Sequence, residues 1–283
     1  MSEIEHQIRA AVQSDRSRLA NLIHFGTYIH QHLDWKSPLD WLGRTPYYLV
    51  ESDNGCAAAL ACPPELPGIT WIRLFAVSTH IPIDFAWKLL WEAVRSELER
   101  ESNYLVTALS LQNWFNNLLE ASGFEHSDNV IVLVRGNSSS FPDPKPGMIN
   151  IRPMLVEDLP EVVKVDHSSF SLEWRNSAES LELAYQQTSI ATIAEFEGEI
   201  VGYQYSTTGT MGGHLARLAV KPSHQGNGIG YALLHDLLKQ FNRWDVKNVT
   251  VNTQQKNQIS LALYEKAGFK PTGESYRIYR SIL

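Results

Sequence analysis

Apolar and polar residues alternate along Ser189–Glu195 and Glu199–Thr207, with a turn signal at Glu197-Gly198 between them. That period of two predicts a pair of strands. Leu215–Val220 reads as a further strand, and Asn150–Arg152, Asn248–Asn252 and Arg277–Ile282 as shorter ones. Along Tyr231–Phe241 the period changes: Leu233, Leu234, Leu237, Leu238 and Phe241 share one face of a helix. Val156–Val165 has the same helical spacing, with acidic residues in its first turn. Ile259–Ala267 reads as a helix stopped by Gly268, where a left-handed cap suits glycine. In the first half, Trp71–Val77 has a strand pattern and Phe85–Leu98 a helical one. The expected class is α/β of the α+β kind, a mostly antiparallel sheet with helices packed on it.

The pattern occurs twice. Ile8-Arg9 matches Ile151-Arg152 at a spacing of 143, and the same spacing pairs Asp15 with Asp158, Gly55 with Gly198, and Ala76-Val77 with Ala219-Val220. Further on, Leu118 matches Leu263 and Gly123-Phe124 matches Gly268-Phe269 at a spacing of 145. A period this long marks a duplicated domain and not a solenoid. Between the copies, Ser138–Gly147 has the Ser/Pro/Gly make-up of an exposed linker. The expected organisation is therefore a first domain over residues 1–136, a linker over 137–148 and a second domain over 149–283.

Composition narrows the function. The 283 residues carry 24 Lys and Arg against 31 Asp and Glu, a net charge of −7 that argues against a broad nucleic-acid surface. No apolar run approaches the roughly 20 residues of a membrane helix, and the acidic N-terminus does not read as a signal peptide, so a cytoplasmic protein is expected. Two cysteines, Cys56 and Cys62, offer neither a disulfide framework nor a thiolate metal cage, and no metal is expected.

The chemistry starts at glycine. Of 17 glycines, Gly226, Gly228 and Gly230 fall within five residues, between a strand and an amphipathic helix. Glycine permits a tight turn and close approach of a ligand, while the first turn of a helix leaves several N–H groups unpaired. Those donors and the positive end of the helix dipole suit a pyrophosphate. Tyr231 stands where a dinucleotide fingerprint needs glycine, and no Gly-Lys-Ser/Thr follows, so neither that fingerprint nor a P-loop is present. A plain glycine-rich turn is the alternative.

Gln225-x-x-Gly228-x-Gly230, following Leu218-Ala219-Val220 with Pro222 between, resembles the coenzyme A signature of the GNAT acetyltransferase superfamily. Asn257 and the block Leu263-Tyr264-Glu265-Lys266-Ala267-Gly268-Phe269 resemble that superfamily's second motif. The likeness covers about residues 149–283. Ser169-Phe170 and Trp174 further resemble the substrate-side helix of the bacterial branch that acetylates protein N-terminal amines. The resemblance implies acetyl-CoA as cosubstrate, held by Leu218, Ala219, Val220, Gln225, Gly226, Asn227, Gly228, Ile229, Gly230 and Asn257. It implies a strand that bulges at Leu218 and Val220 and splays from its neighbour, a main-chain N–H near the acyl carbonyl, and Tyr264 placed to protonate the departing thiolate. A packed aromatic at Tyr264 and a helix cap at Asn257 are the structural alternatives.

The base departs from the pattern. Many family members use a glutamate on the strand before the glycine turn, but Met211–Arg217 holds no carboxylate. His214 is the local substitute, because imidazole titrates near neutrality. Glu173 and His167 are further candidates, as is a water chain. Phe170, Glu173 and Trp174 are expected to face the acceptor, a primary amine on a small molecule or a peptide N-terminus. Ile149–Ala216 carries three basic residues against ten acidic ones, which suggests a cationic amine; Arg217–Arg280 carries ten against four, suiting phosphates.

In the first half the counterpart of the glycine turn is roughly Ser78–Phe85, which has no glycine and includes Pro82. Leu119 stands in the place of Tyr264, and Gln112 in that of Asn257. This copy is expected to be a degenerate GNAT-like domain, and the C-terminal copy the catalytic one. An acyl-CoA-binding regulatory module is the alternative outside the enzyme class.

Overall fold

A computed structural model describes residues 7–52, 55–101, 103–136, 141–144 and 149–283. It divides into two compact units, Met1–Ser127 with Tyr276–Leu283, and Asp128–Ser275. These are not the contiguous halves the sequence suggests. Residues 128–136 belong with the second unit and 276–283 with the first. A strand's pattern is the same whichever neighbour it pairs with, so periodicity could not reveal this. Residues 137–140 and 145–148 of the expected linker lie outside the described residues. Among those described, no helix is long and apolar enough to cross a membrane.

In the first unit the chain forms β1 (Gln7–Ala10), α1 (Arg16–Phe25), β2 (Tyr28–Gln31), β3 (Tyr47–Ser52), β4 (Gly55–Ala61), β5 (Ile69–Trp71), β6 (Leu74–Val77), α2 (Ile83–Glu101), β7 (Leu105–Ser110), α3 (Asn113–Ala121) and the start of β8 (Glu125–Gly136). An antiparallel sheet runs in the order β1-β3-β4-β6-β2. Where one strand was expected over Trp71–Val77, there are two. β5 pairs parallel with β7, and β6 pairs antiparallel with β4 and β2. Trp87, Trp91, Phe75 and Phe115 are buried together in the core of this unit. Cys62 is buried there too, and Cys56 is partly buried, both as free thiols.

The second unit holds β9 (Asn150–Pro153), α4 (Leu159–Ser169), α5 (Ala178–Gln187), β10 (Ile190–Phe196), β11 (Glu199–Gly209), β12 (Gly212–Val220), α6 (Ile229–Arg243), β13 (Asn248–Gln254), α7 (Gln258–Lys266) and most of β14 (Lys270–Ile282). Strands β9 to β12 are antiparallel neighbours, β12 runs parallel to β13, and β13 pairs antiparallel with Val130–Gly136 of β8. The apolar face predicted for α6 is real: Leu233, Leu234, Leu237, Leu238 and Phe241 are fully buried.

Two of the matches that revealed the repeat, Arg9 with Arg152 and Asp15 with Asp158, belong to one interaction made twice. Arg9 chelates Asp15 at 2.6 and 2.7 Å and reaches Glu51 at 2.8 Å; Arg152 does the same to Asp158 at 2.7 and 2.9 Å and to Glu195 at 2.8 Å. Each aspartate also accepts a backbone N–H three residues before it, from Val12 and Leu155, which fixes the entry to α1 and α4. Bidentate, charge-assisted bonds of this kind fix geometry as well as adding energy. The Arg152 guanidinium holds the Asp158 carboxyl below its ordinary range. A folded pKa below the unfolded value of about 3.9 stabilises the fold above that pH and ceases to do so as pH falls through the folded value. Arg152→Ala should therefore lower the urea midpoint at pH 7, and the gap to the parent should close below about pH 4. A gap that persists undiminished at lower pH would show that the pair contributes through packing alone.

Candidate active site

The site is built around an interruption in β12. Tyr205 of β11 pairs with Arg217 and Ser206 with Leu215, so Ala216 is an unpaired extra residue, a β-bulge. The parallel pairing of β12 with β13 joins Gly213–Leu215 to Val249–Val251 and ends there, one residue before the bulge. Beyond it, Arg217–Val220 stays with β11 while β13 continues with β8. One backbone edge of Leu218–Val220 is thus parted from its former neighbour. The bulge also re-aims side chains. Gly213 and Leu215 face α6, His214 and Arg217 face the opposite side, and Leu218 and Val220 return to the α6 side, packed near Ile229 and Leu233.

Gly212 and Gly213 make the approach possible. A Cβ on Gly212, which has a φ of +123°, would lie 2.4 Å from the Asn248 carbonyl oxygen, and one on Gly213 would lie 2.6 Å from the Phe241 ring.

After β12 the chain makes a short 3-10 turn at Pro222–His224 and then the glycine turn. Gly226 and Gly228 both have positive φ, near +81° and +82°, with open space where a Cβ would be. Glycine is favoured there by backbone conformation and not by crowding. Gly228 caps α6, whose first intrahelical bond runs from Ala232 N–H to Gly228 O, so Ile229, Gly230 and Tyr231 precede it with outward-facing N–H groups. Gln225 supports the turn by donating to Val220 O at 3.0 Å, and Asn227 donates to His224 O at 3.3 Å. A cavity of about 820 Å³ opens here, lined by Gly226, Asn227, Gly228, Tyr231, Lys239 and Lys266 among others. The backbone donors of the turn suit phosphates, and of the two lysines that line the cavity Lys239 lies 3.5 Å from Asp143, which lines it too, as does Asp236.

Asn257 does cap a helix: its Oδ1 accepts the Ser260 N–H at 3.1 Å at the start of α7. Tyr264 is buried on α7 beside Phe269, in one cluster with Leu215, Tyr231 and Leu234. Burial alone pushes its phenol well above the usual value. Its hydroxyl has no hydrogen-bond partner among the described residues. In the first unit Leu119 occupies the matching place on α3, and Gln112 begins that helix without a side-chain cap.

His214 bonds through Nδ1 to Thr250 Oγ1 at 2.9 Å. Thr250 Oγ1 also lies 3.3 Å from Gly213 O; in the tautomer where the hydroxyl donates there it accepts from His214 Nδ1, and Nε2 keeps its lone pair. Burial lowers the His214 pKa, the Thr250 bond opposing it in part. His214 and Tyr264 lie on opposite faces of β12, not side by side. His167 is committed elsewhere, bonding to Asn176 O at 2.9 Å.

Phe170, Glu173 and Trp174 follow α4, Glu173 and Trp174 on a short 3-10 turn at Leu172–Trp174. Beneath them lies a group that sequence reasoning missed. Arg217 sits over the Phe170 ring at 3.9 Å, donates to Trp174 O at 2.6 Å, and pairs at 2.5 Å with the fully buried Asp166, which also accepts from Tyr203. Two signals were available: a charge within the apolar run Leu215–Val220, and an acid on the buried stripe of α4 beside Val162 and Val165. The charge asymmetry of the sequence is also reinterpreted. Asp158, Glu161, Asp166, Glu195 and Glu199 are all in ion pairs, so the acidic segment does not by itself mark a cationic acceptor.

Comparison with known proteins agrees with this geometry. The profile of the acetyltransferase (GNAT) family matches residues 156–269. The chain is similar to the uncharacterized N-acetyltransferase Mb2688 of Mycobacterium bovis, 31% identical over 116 residues that span 40% of this chain and 74% of that protein. It is similar, at 24% identity over 123 residues, to a Bacillus subtilis protein provisionally named ribosomal protein bS18-alanine N-acetyltransferase, spanning 44% of this chain and 82% of that one. In fold it is similar to a tandem GNAT protein from the clavulanic acid biosynthesis pathway, with a TM-score of 0.64, 15% identity and 98% of each chain covered. The chain belongs to the GNAT family of N-acetyltransferases, enzymes that use acetyl-CoA as cosubstrate.

Asn257→Ala should cost about 1 kcal/mol of stability through the lost cap, read as a lower melting temperature. An unchanged melting temperature would mean that the cap is dispensable and that Asn257 is held for another reason.

Proposed function

We propose that the second unit transfers an acetyl group from acetyl-CoA to a primary amine by direct attack. The observation that carries this reading is the bulge at Ala216, where β12 leaves β13 beside the glycine turn that caps α6. Leu218–Val220 offers a backbone edge to an amide-bearing arm, Gly228–Gly230 offers N–H donors to phosphates, and Lys239 and Lys266 offer charge. Bound there, acetyl-CoA supplies an activated acyl group.

The chain's own residues manage the protons. An amine acceptor with a pKa near 10 arrives protonated and must lose a proton before it attacks. His214 accepts that proton at Nε2, since its lowered pKa keeps the ring neutral at pH 7. Tyr264 returns a proton from the other face of β12. Burial makes this phenol a weaker acid than the thiol it forms, so its contribution is position and not acidity, and the phenolate regains its proton from solvent before the next turnover. Acid and base on opposite faces of one strand suit a transfer in which acceptor and leaving group approach from opposite sides.

The first unit is read as the degenerate copy. Pro82 and the absence of glycine over Ser78–Phe85 remove the phosphate turn, and Leu119 removes the phenol. The acceptor is a small amine in this reading. The similarity to a protein named for alanine N-acetylation keeps a peptide N-terminus as the second one. A panel of small amines and of peptides with free N-termini, followed by thiol release, separates the two.

Tyr264→Phe should lower kcat by about a hundredfold while leaving the Kd for acetyl-CoA unchanged. With a neutral imidazole as base, kcat/KM should fall on an acid limb below pH 6.5, where His214 becomes protonated, and His214→Gln should abolish that limb. Full turnover in Tyr264→Phe would remove the phenol from the mechanism. An intact limb in His214→Gln would assign the base elsewhere.

A further inference from the structure

One stretch of chain takes two different conformations in the two copies. In the first unit the residues after α1 form β2, which lies antiparallel along β6, from Tyr28 opposite Val77 to Gln31 opposite Leu74. Its flanks are fastened too, Thr27 N–H to Val77 O at 2.8 Å and His32 N–H to Arg73 O at 3.0 Å. By the 143-residue spacing, β6 is the counterpart of Arg217–Val220. β2 therefore covers the edge that, in the second unit, is left open where β12 parts from β13. The counterpart of β2 is Ser171–Trp174, which is not a strand at all but the 3-10 turn after α4.

The residues that differ between the copies are those that hold this stretch. Arg217 corresponds to Leu74 and Asp166 to Ile23. The strand registers match Tyr203, opposite Ala219, to Ala59, opposite Ala76. The polar cluster of the second unit is apolar in the first. Ser169 corresponds to Gly26, where a Cβ would lie 2.6 Å from Leu22 O and 3.1 Å from Val77 O. Gly26 lets the chain press against β6. Ser169 stands off: its hydroxyl, 2.6 Å from Val165 O in its own helix, lies 3.0 Å from Val220 O, the carbonyl equivalent to the one that Thr27 N–H occupies. Arg217 meanwhile takes Trp174 O at 2.6 Å and so ties the end of the 3-10 turn to β12.

We propose that Arg217, held by Asp166 and Tyr203, is a positioning residue that keeps Phe170–Trp174 out of the slot beside Leu218–Val220. Where this anchor is missing, in the first unit, the chain fills its own slot with β2. Arg217 touches neither acyl group nor amine in this role; it keeps the cosubstrate edge free and fixes the acceptor-side turn. The inference rests on Leu218–Val220 being that edge.

Amide hydrogen exchange tests it, together with calorimetric titration of acetyl-CoA. In the parent, acetyl-CoA slows exchange at Leu218–Val220 and leaves Tyr28–Gln31, already slow, unchanged. Arg217→Leu with Asp166→Ile installs the residues of the first unit. Without cosubstrate, its amides at Leu172–Trp174 should exchange at least about tenfold more slowly than the parent's. The acetyl-CoA Kd should rise by about tenfold or more, with exchange across Leu233–Phe241 of α6 unchanged. Unchanged or faster exchange at Leu172–Trp174, or a Kd within about twofold of the parent, overturns the proposal. Should the double variant lose protection in α6, Arg217→Lys carries the test: weaker acetyl-CoA binding with α6 intact supports the role, and parental binding refutes it. A parent in which acetyl-CoA does not slow Leu218–Val220 overturns the cosubstrate reading itself, a result distinct from a responsive parent with an indifferent variant.

Discussion

A strand that gains one residue cannot stay in register with both neighbours, and β12 resolves that conflict at Ala216 by keeping β11 and releasing β13. The candidate site follows from this single irregularity. The released edge has no strand beside it, although Gln225 and Ser169 reach Val220 O, and proteins ordinarily cover such an edge. The same extra residue turns Arg217 toward α4 and Leu218 toward α6, so one bulge separates the two faces on which we propose that acceptor and cosubstrate bind. Gly212 and Gly213 let the strand lie close to Asn248 and Phe241 just before it, and the glycine turn directs the first amides of α6 outward just after it.

The duplicated fold shows how little must change for such an edge to be used or closed. Both units keep the Arg–Asp–Glu cluster at the start of their first helix, and both keep a strand that leaves a parallel neighbour. They differ in what meets the parted edge. In one, the four corresponding positions are Ile23, Gly26, Ala59 and Leu74, and the chain covers itself. In the other they are Asp166, Ser169, Tyr203 and Arg217, and the covering segment is held back by a buried ion pair. Burying that pair has a desolvation cost that apolar residues would avoid, so its value lies in specifying one conformation of the turn and not in stability.

The strands, the face of α6, the repeat and the glycine turn were legible in the sequence because each rests on local periodicity or on a residue with a distinctive backbone. Leu233, Leu237 and Phe241 could only be a helical face, and Gly226 with Gly228 could only be a turn. What was hidden depends on partners distant along the chain. The chain's passage between units at β8 and β14 leaves the strand pattern unaltered, and so does the break between β5 and β6, where Ile72-Arg73 reads as part of one apolar run. Nothing beside Arg217 in the sequence points to its partner, because Asp166 lies 51 positions earlier. The acidic segment looked like a surface for a cation because its ion pairs, such as Glu195 with Arg152, form across strands.

The most direct measurement is a crystal structure of the chain grown with acetyl-CoA. The account predicts one molecule per chain, its amide-bearing arm against Leu218–Val220 and its phosphates at Gly226–Gly230, with β2 still paired to β6. A molecule bound along Leu74–Val77 with β2 displaced, or an arm lying away from the parted edge of β12, would contradict it.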